Sequence, residues 1–188
     1  MDHKHRVRVS KLMSLGLRHE PLTLGLTLDD AGWVSVDALL AGLQAKGEAL
    51  TREDVAEIVR TSDKQRFSLS SDGARIRANQ GHSVDVELGL APMEPPAELF
   101  HGTSEEVVPA IRRDGLLRMA RTHVHLSVDE KTANTVAKRR AGATVLVRVD
   151  AAAMHRDGHA FFRADNGVWL TLAVPPQYLR FPHARPAP

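Results

Sequence analysis

Apolar positions repeat at helical spacing near the start of the chain. Val9, Leu12, Met13 and Gly16 fall at i, i+3, i+4 and i+7, which predicts an amphipathic helix from Val7 to His19 that Pro21 ends. Leu24, Leu26 and Leu28 then alternate with Thr and Gly as in a short strand, and Asp29 to Gly32 reads as a turn. Ser35 is placed to cap a helix running to about Lys46, with Gly47 as its stop. Thr51-Arg-Glu-Asp54 has the form of a capping box for a third helix, Glu53 to about Thr61. Phe67 and Leu69, the Ser71-Asp72-Gly73 turn and Ile76 predict a β-hairpin. Helix, short strand, two helices and hairpin is the order of a winged helix-turn-helix, which commonly docks on nucleic acid.

The pattern changes at ELGLAPMEPPAE, Glu87 to Glu98, where three prolines forbid a continuous helix and stiffen the chain. The expected organisation is therefore a first lobe over 1–90, a linker over 91–98, a second lobe over 99–182 and a Pro/Ala-rich tail over 183–188. The second lobe is richer in strands. Leu99 to Thr103 is a short strand, and Thr103 or Ser104 is expected to cap a helix ending near Gly115. Val124 to Ser127 is a strand, followed by a capping box at Ser127-Val-Asp-Glu130 for a helix reaching about Arg140. Thr144 to Val149 reads as a buried strand. Phe161 to Ala164 and Val168 to Val174 flank Asn166-Gly167, a strong hairpin signal, and Pro175-Pro176 stops the last strand. The fold class expected is α+β.

Composition removes several kinds of chemistry. The 188 residues include no cysteine, so disulfides, thiolate nucleophiles and Cys-based zinc sites are excluded. No apolar run is long enough to cross a membrane, and the basic start has no apolar stretch behind it, so a cytoplasmic protein is expected. Lys and Arg total 25 against 23 Asp and Glu, so any polyanion must be held by a few placed cations rather than by bulk charge. Most of those cations are Arg, which suits bidentate phosphate recognition.

Five places could carry chemistry. Arg18-His19 ends the first helix. Because a helix C-terminus carries partial negative charge, the pair either caps that end or holds a phosphate with side chains that project past it. Asn79-Gln80-Gly81-His82-Ser83 gathers polar side chains around a glycine. His101-Gly102-Thr103 stands where a strand gives way to a helix, a place suited to a ribose or pyrophosphate. His123 and His125 share one face of a strand with Ser127 close by, but no carboxylate in the run completes a metal site. Phe161-Phe162-Arg163 and Asn166-Gly167-Val168-Trp169-Leu170 form the last hairpin, where aromatic side chains are expected in the core. Walker, GxSxG and HExxH motifs are all lacking.

Taken in order, these segments resemble the NAD-dependent RNA 2′-phosphotransferase family. The resemblance rests on Ser10-Lys11 through Arg18-His19, Lys64, Arg66 and Phe67, Arg77 through Ser83, His101-Gly102-Thr103, Arg121, His123 through Ser127, and Asn166 through Thr171 with Val174-Pro175-Pro176-Tyr178-Leu179. It covers about residues 10 to 180. It implies a winged-helix lobe for RNA and an ADP-ribosyltransferase-like lobe for NAD, with no metal. It implies that an internal RNA 2′-phosphate attacks the NAD ribose, that nicotinamide leaves an RNA-2′-phospho-ADP-ribose intermediate, and that the 2″-hydroxyl then attacks phosphorus to release 2′-OH RNA and ADP-ribose 1″,2″-cyclic phosphate. By motif, Arg18, His19, Arg66 and Arg121 are the catalytic set, with Arg118 as the substitute should Arg121 be displaced. His101, Gly102, Thr103, His125 and Ser127 are assigned to NAD, and Asn79, Gln80, His82 and Ser83 to the nicotinamide ribose or the phosphate. The Glu of diphtheria-type ADP-ribosyltransferases has no counterpart, an apolar residue such as Val168 standing there. The resemblance points to tRNA splicing or RNA repair, a tRNA-like partner and a monomer.

Three alternatives remain. A winged-helix nucleic-acid-binding regulator would want a basic recognition helix, whereas EDVAEIVRT carries three acids and one Arg. A protein-directed ADP-ribosyltransferase would want a Glu in the last hairpin, and none follows Glu130. Within the family, ADP-ribosylation of 5′-phosphorylated nucleic-acid ends is the remaining activity.

Overall fold

A computed structural model of the chain describes residues 1–62, 64–138 and 142–182. The fold is α+β, built from helices and short antiparallel sheets. It divides into two compact units, one of Met1–Leu90 with Ala120–Thr122, the other of Ala91–Met119 and the chain from His123 onward.

The first unit opens with α1 (His3–Arg18), which starts four residues before the predicted Val7 because the Asp2 side chain accepts from His5 N and caps it. Glu48 secures the first turns by accepting from Arg8 Nε at 2.7 Å and meeting His5 Nε2 at 2.7 Å. The buried face of α1 is Val9, Met13, Gly16 and Leu17. The strand expected from Leu24 to Leu28 does not form. Pro21–Leu24 is instead a 3₁₀ turn closed by Gly25 at φ 63°, and it seats Leu24 on α1 so tightly that a Cβ at Gly16 would lie 2.5 Å from Leu24 Cδ1. Leu24 and Leu26 are thus buried by a turn, and alternation alone could not tell that from a strand.

The remaining elements of this unit match their local signals. β1 (Val34–Ser35) leads into α2 (Val36–Ala45), which Ser35 caps through Ala38 N, with Gly47 at φ 83° just beyond its end. Thr51 and Asp54 complete both halves of a capping box on α3 (Arg52–Thr61). β2 (Phe67–Leu69) and β3 (Arg75–Ala78) form the hairpin, and the antiparallel sheet runs β1-β3-β2. One core joins Val9, Met13 and Leu17 of α1 to Leu39 and Leu43, Val55 and Ile58, and Phe67 and Ile76.

In the second unit β4 (Glu98–Ser104) pairs along its whole length with β7 (Thr144–Asp150), and β11 (Leu179–Arg180) covers the other edge of β7. β6 (Val124–Leu126) pairs with β9 (Trp169–Thr171), which also pairs with β8 (Phe162–Arg163) in the hairpin around Asn166-Gly167. The predicted long last strand breaks at Leu172, after which β10 (Ala173–Val174) pairs with β5 (Leu116–Leu117).

Two predicted caps move. No side chain of Thr103 or Ser104 caps the helix after β4, which begins with a 3₁₀ turn at Glu105–Val107 before α4 (Val108–Asp114). The helix after β6 is capped by Asp129, not Ser127. The Asp129 carboxylate accepts from Thr132 N at 2.7 Å and starts α5 (Glu130–Ala137). The predicted end of that helix at Arg140, and the tail over 183–188, lie outside the described residues. β7 is less buried than expected, because Val147 and Val149 face the core while Arg148 faces out. α6 (Ala151–Arg156), capped by Asp150, had no sequence prediction.

Candidate active site

The site in the first unit is built around the C-terminal end of α1. Of its last carbonyls, Leu15 O accepts from His19 N and Glu20 N, and Arg18 O accepts from Ser83 N at 2.9 Å and Val84 N at 3.4 Å. The partial negative charge of that terminus is thereby spent on backbone donors, so the Arg18 side chain need not cap it. That guanidinium instead donates through Nη2 to Arg66 O at 3.1 Å and lies 5.9 Å over the Phe67 ring. Arg66 O also accepts from Asn79 N at 2.9 Å, and Asn79 Nδ2 donates to Gln65 O at 2.7 Å. These bonds hold Gln65 at φ 39°, a left-handed conformation, and fix the approach to β2 against the loop after β3. Gly81 turns that loop at φ 88°, and Thr122 N donates to His82 O at 3.1 Å, which brings Ala120–Thr122 onto it.

Positive charge is crowded here. Burial, then Arg66 and Arg121, bring the Arg18 guanidinium down to about 10. It stays cationic at neutral pH, but beside two like charges that disfavour it. Burial, then Arg18 and Arg121, also hold the His19 imidazole below its ordinary value. His19 is nonetheless at the surface. Its Nδ1 is 2.9 Å from Ser83 Oγ, which leaves Nε2 as the atom able to carry or pass a proton. His82 is fully buried, and burial, Arg18, His19 and Arg77 push it to about 4, so it is neutral at pH 7. Neither ring nitrogen of His82, nor Arg18 Nε, has a hydrogen-bond partner among the described residues.

Such an arrangement costs stability as it stands. Like charges partly withdrawn from water repel, and an oxyanion between them reverses the sign of that interaction. A dianionic phosphate monoester is well matched, since it offers several acceptor oxygens to forked guanidinium donors.

The candidates in the second unit lie on β4 and β6. A two-way backbone bridge, Phe100 N to Ser127 O at 2.9 Å and Ser127 N to Phe100 O at 2.8 Å, holds the two segments together. His101 Nδ1 sits 3.1 Å from His125 O. Val124 and Leu126 point into the core, so His123 and His125 share the opposite, half-buried face as their spacing predicts. His123 meets Phe162 edge-on at 5.7 Å, and burial followed by Arg118 holds its imidazole low. Gly102 has a packing reason to be glycine, since a Cβ there would collide with Ala133 O and Ala137 Cβ of α5. Thr103 is fully buried, and its Oγ1 has no hydrogen-bond partner among the described residues. Among the described residues no three His, Cys, Asp or Glu side chains come together to hold a metal.

The structure therefore brings Arg18, His19, Arg66 and Arg121 together in the first unit, with Ser83 against His19. Arg121 bears on Arg18 and His19, whereas Arg118, its alternative, bears on His123. Asn79 and His82 are buried supports of this cluster, while Gln80 is half-buried and Ser83 exposed. His101, His125 and Ser127 form a separate half-buried set backed by Gly102 and Thr103. Sequence reasoning placed Arg77 in a motif but gave it no role; it lies 4.7 Å from the Trp33 ring, donates to Leu88 O and adds positive charge near His82. It also gave no role to Ser10, Lys11 and Ser14. Ser10-Lys11 stood only as part of a motif, and no spacing rule links it to Arg66.

A family model for the RNA 2′-phosphotransferases, Tpt1/KptA family, matches residues 4–173. A probable RNA 2′-phosphotransferase of Rhizobium leguminosarum bv. trifolii is 54% identical over 176 residues, covering 94% of both chains. One of Rhodopirellula baltica is 51% identical over 180 residues, covering 95% of this chain and 97% of the relative. One of Streptomyces griseus is 50% identical over 186 residues, covering 95% and 98%. With arginines gathered around an exposed histidine, and with matches that run nearly end to end, the chain belongs to the RNA 2′-phosphotransferase family.

Proposed function

We propose that the chain removes an internal 2′-phosphate from RNA by transferring it to NAD, leaving a 2′-hydroxyl and releasing nicotinamide and ADP-ribose 1″,2″-cyclic phosphate. The observation that carries this reading is the mutual crowding of Arg18, Arg66 and Arg121 beside His19, a site that an incoming phosphate relieves. In this reading the first unit is a winged-helix lobe, which its three helices and β1-β3-β2 sheet support. The second is an ADP-ribosyltransferase-like lobe, which the paired β4-β7-β11 and β6-β9-β8 sheets support.

The residues divide the work as follows. Arg18, Arg66 and Arg121 hold the 2′-phosphate, orient one oxygen as nucleophile, and stabilise the charge that gathers on phosphorus in the second step. NAD, when bound, supplies an anomeric carbon with nicotinamide as leaving group. His101, His125 and Ser127 fit this cosubstrate because they are half-buried imidazole and hydroxyl groups able to bond ribose hydroxyls. Gly102 and Thr103 keep β4 pressed on α5 behind them. Phosphate oxygen to ribose carbon is the bond formed first, giving an RNA-2′-phospho-ADP-ribose adduct as the bond to nicotinamide breaks. The ribose 2″-hydroxyl then bonds phosphorus and gives up its proton, the phosphorus bond to the RNA 2′-oxygen breaks, and that oxygen takes a proton, so none is gained or lost overall. His19 Nε2 is the group placed to deliver it. The bound dianion raises the affinity of His19 for a proton that the bare arginine cluster disfavours.

The test is an RNA with one internal, labelled 2′-phosphate, incubated with and without NAD in EDTA. Label passing to ADP-ribose cyclic phosphate only with NAD is the expected result. Release as inorganic phosphate, or transfer that needs a divalent cation, would refute the reading.

A further inference from the structure

A groove of about 750 Å³ runs along the exposed side of α1 and ends at Arg18, His19 and Arg66. One wall is a single helical stripe in which His3, Arg6, Ser10, Ser14 and Arg18 recur at three- or four-residue intervals, with Val7, Lys11 and Leu15 beside them. The other wall is Thr61, Ser62, Lys64 and Arg66, with Ile58 behind them. No Asp or Glu and no Phe, Tyr or Trp lines it among the described residues. Ser62 Oγ, in the wall, has no hydrogen-bond partner among the described residues, and neither has Arg18 Nε at its end. Arg6 is engaged by Thr61 Oγ1 at 3.2 Å and by Glu57 at 3.5 Å, which ties the two walls together at one end. Lys11, halfway along, is exposed and in no ion pair among the described residues.

We infer that this groove is the track for the RNA strand on one side of the modified nucleotide, and that it grips the sugar-phosphate backbone without reading bases. The inference rests on the phosphotransferase reading, because the track ends at the proposed 2′-phosphate site. The helix is sixteen residues long, about 24 Å at 1.5 Å per residue, so the stripe spans several nucleotides. Among the described residues its donors are ammonium, guanidinium, imidazole and hydroxyl groups with no carboxylate beside them, which matches a row of phosphodiesters. The lack of aromatic side chains argues against base stacking, so binding is expected to be independent of sequence and steeply salt-dependent.

Two readouts keep this inference separable from the activity. The first is anisotropy of a fluorescent single-stranded RNA octamer without any 2′-phosphate, titrated with the full chain at several salt concentrations. Lys11→Glu is expected to weaken binding about tenfold and to flatten the dependence on salt. Arg60→Glu makes the same charge change on α3 outside the groove lining and is expected to leave binding as in the parent chain. The second is kcat/KM on 2′-phosphorylated substrates, a dinucleotide against the same dinucleotide extended on either side. The long substrate is expected to be preferred, and Lys11→Glu to reduce that preference about tenfold. Equal weakening by the two charge reversals, equal loss on long and short substrates, or binding of an acidic peptide of the same charge as tightly as RNA would each overturn the groove assignment. If no labelled phosphate moves while Lys11→Glu still weakens RNA binding about tenfold, the activity reading fails and the groove stands.

Discussion

In the first unit, Arg18, Arg66 and Arg121 press like charges together beside a surface histidine. In the second, His101, His125 and Ser127 sit on strands already joined by backbone hydrogen bonds. An anion site declares itself before its ligand arrives, because the cations that will share the ligand must meanwhile repel each other. A site that meets sugar hydroxyls needs no such tension, and at rest it resembles an ordinary sheet edge. The clustered arginines should therefore trade stability for function, and the strand residues should not.

The largest effect tests that trade directly. Arg121→Ala is expected to reduce 2′-phosphate transfer at least a hundredfold, the scale of losing one charge-stabilising donor. It is also expected to leave the melting temperature unchanged or slightly raised, since a like charge has gone. A clear drop in melting temperature would show that the crowding is compensated elsewhere.

His82 sharpens the comparison through pH. Its folded value of about 4 lies below the 6.5 of the free side chain, so the unfolded chain takes up a proton first as the solution is acidified. Stability contributed by neutral His82 is complete above pH 6.5 and is lost as pH falls toward 4, on the order of 3 kcal/mol at 1.36 kcal/mol per pH unit. Urea midpoints read through Trp33 fluorescence between pH 7 and 4.5 should show this slope, and His82→Gln should remove most of it.

In the second unit, Gly102→Ala forces a Cβ onto the Ala133 carbonyl and should cost about 1–3 kcal/mol by overpacking, visible as a lower melting temperature. The smallest effect is expected for Thr103→Val. It removes a buried hydroxyl with no partner among the described residues, so stability should hold or rise by less than about 1 kcal/mol. Should KM for NAD rise severalfold instead, the hydroxyl would belong to the nucleotide site and not to its support.

What was legible in the sequence depended on whether the signal was local. The Ser35 cap, the Thr51–Asp54 capping box, the Gly73 turn and the Asn166-Gly167 hairpin each act through neighbours in the chain, and each was read correctly. Leu24–Leu28 was misread because a 3₁₀ turn can bury alternate leucines as well as a strand can, and what decides is Gly16 on another element. The cap at Ser127 was misplaced because Asp129, two residues on, offers the stronger acceptor. For the site, helical periodicity put Arg18 at the end of α1. The meeting of Arg18, Arg66 and Arg121 depends on the carbonyls of Gln65 and Arg66, held by Asn79, and on Thr122 bonding to His82, none of which leaves a pattern in the chain. Only the resemblance could name them together.

The unbroken course of α1 has one more consequence. A loop absorbs an extra residue by bulging, but a helix must turn by about 100° to take one in. Inserting or deleting one residue between Lys11 and Arg18 would swing the stripe out of line with the arginine cluster and drive Val9 and Met13 out of the core. The length of that segment is therefore fixed to near-whole turns, and α1 serves as a ruler with its zero at Arg18.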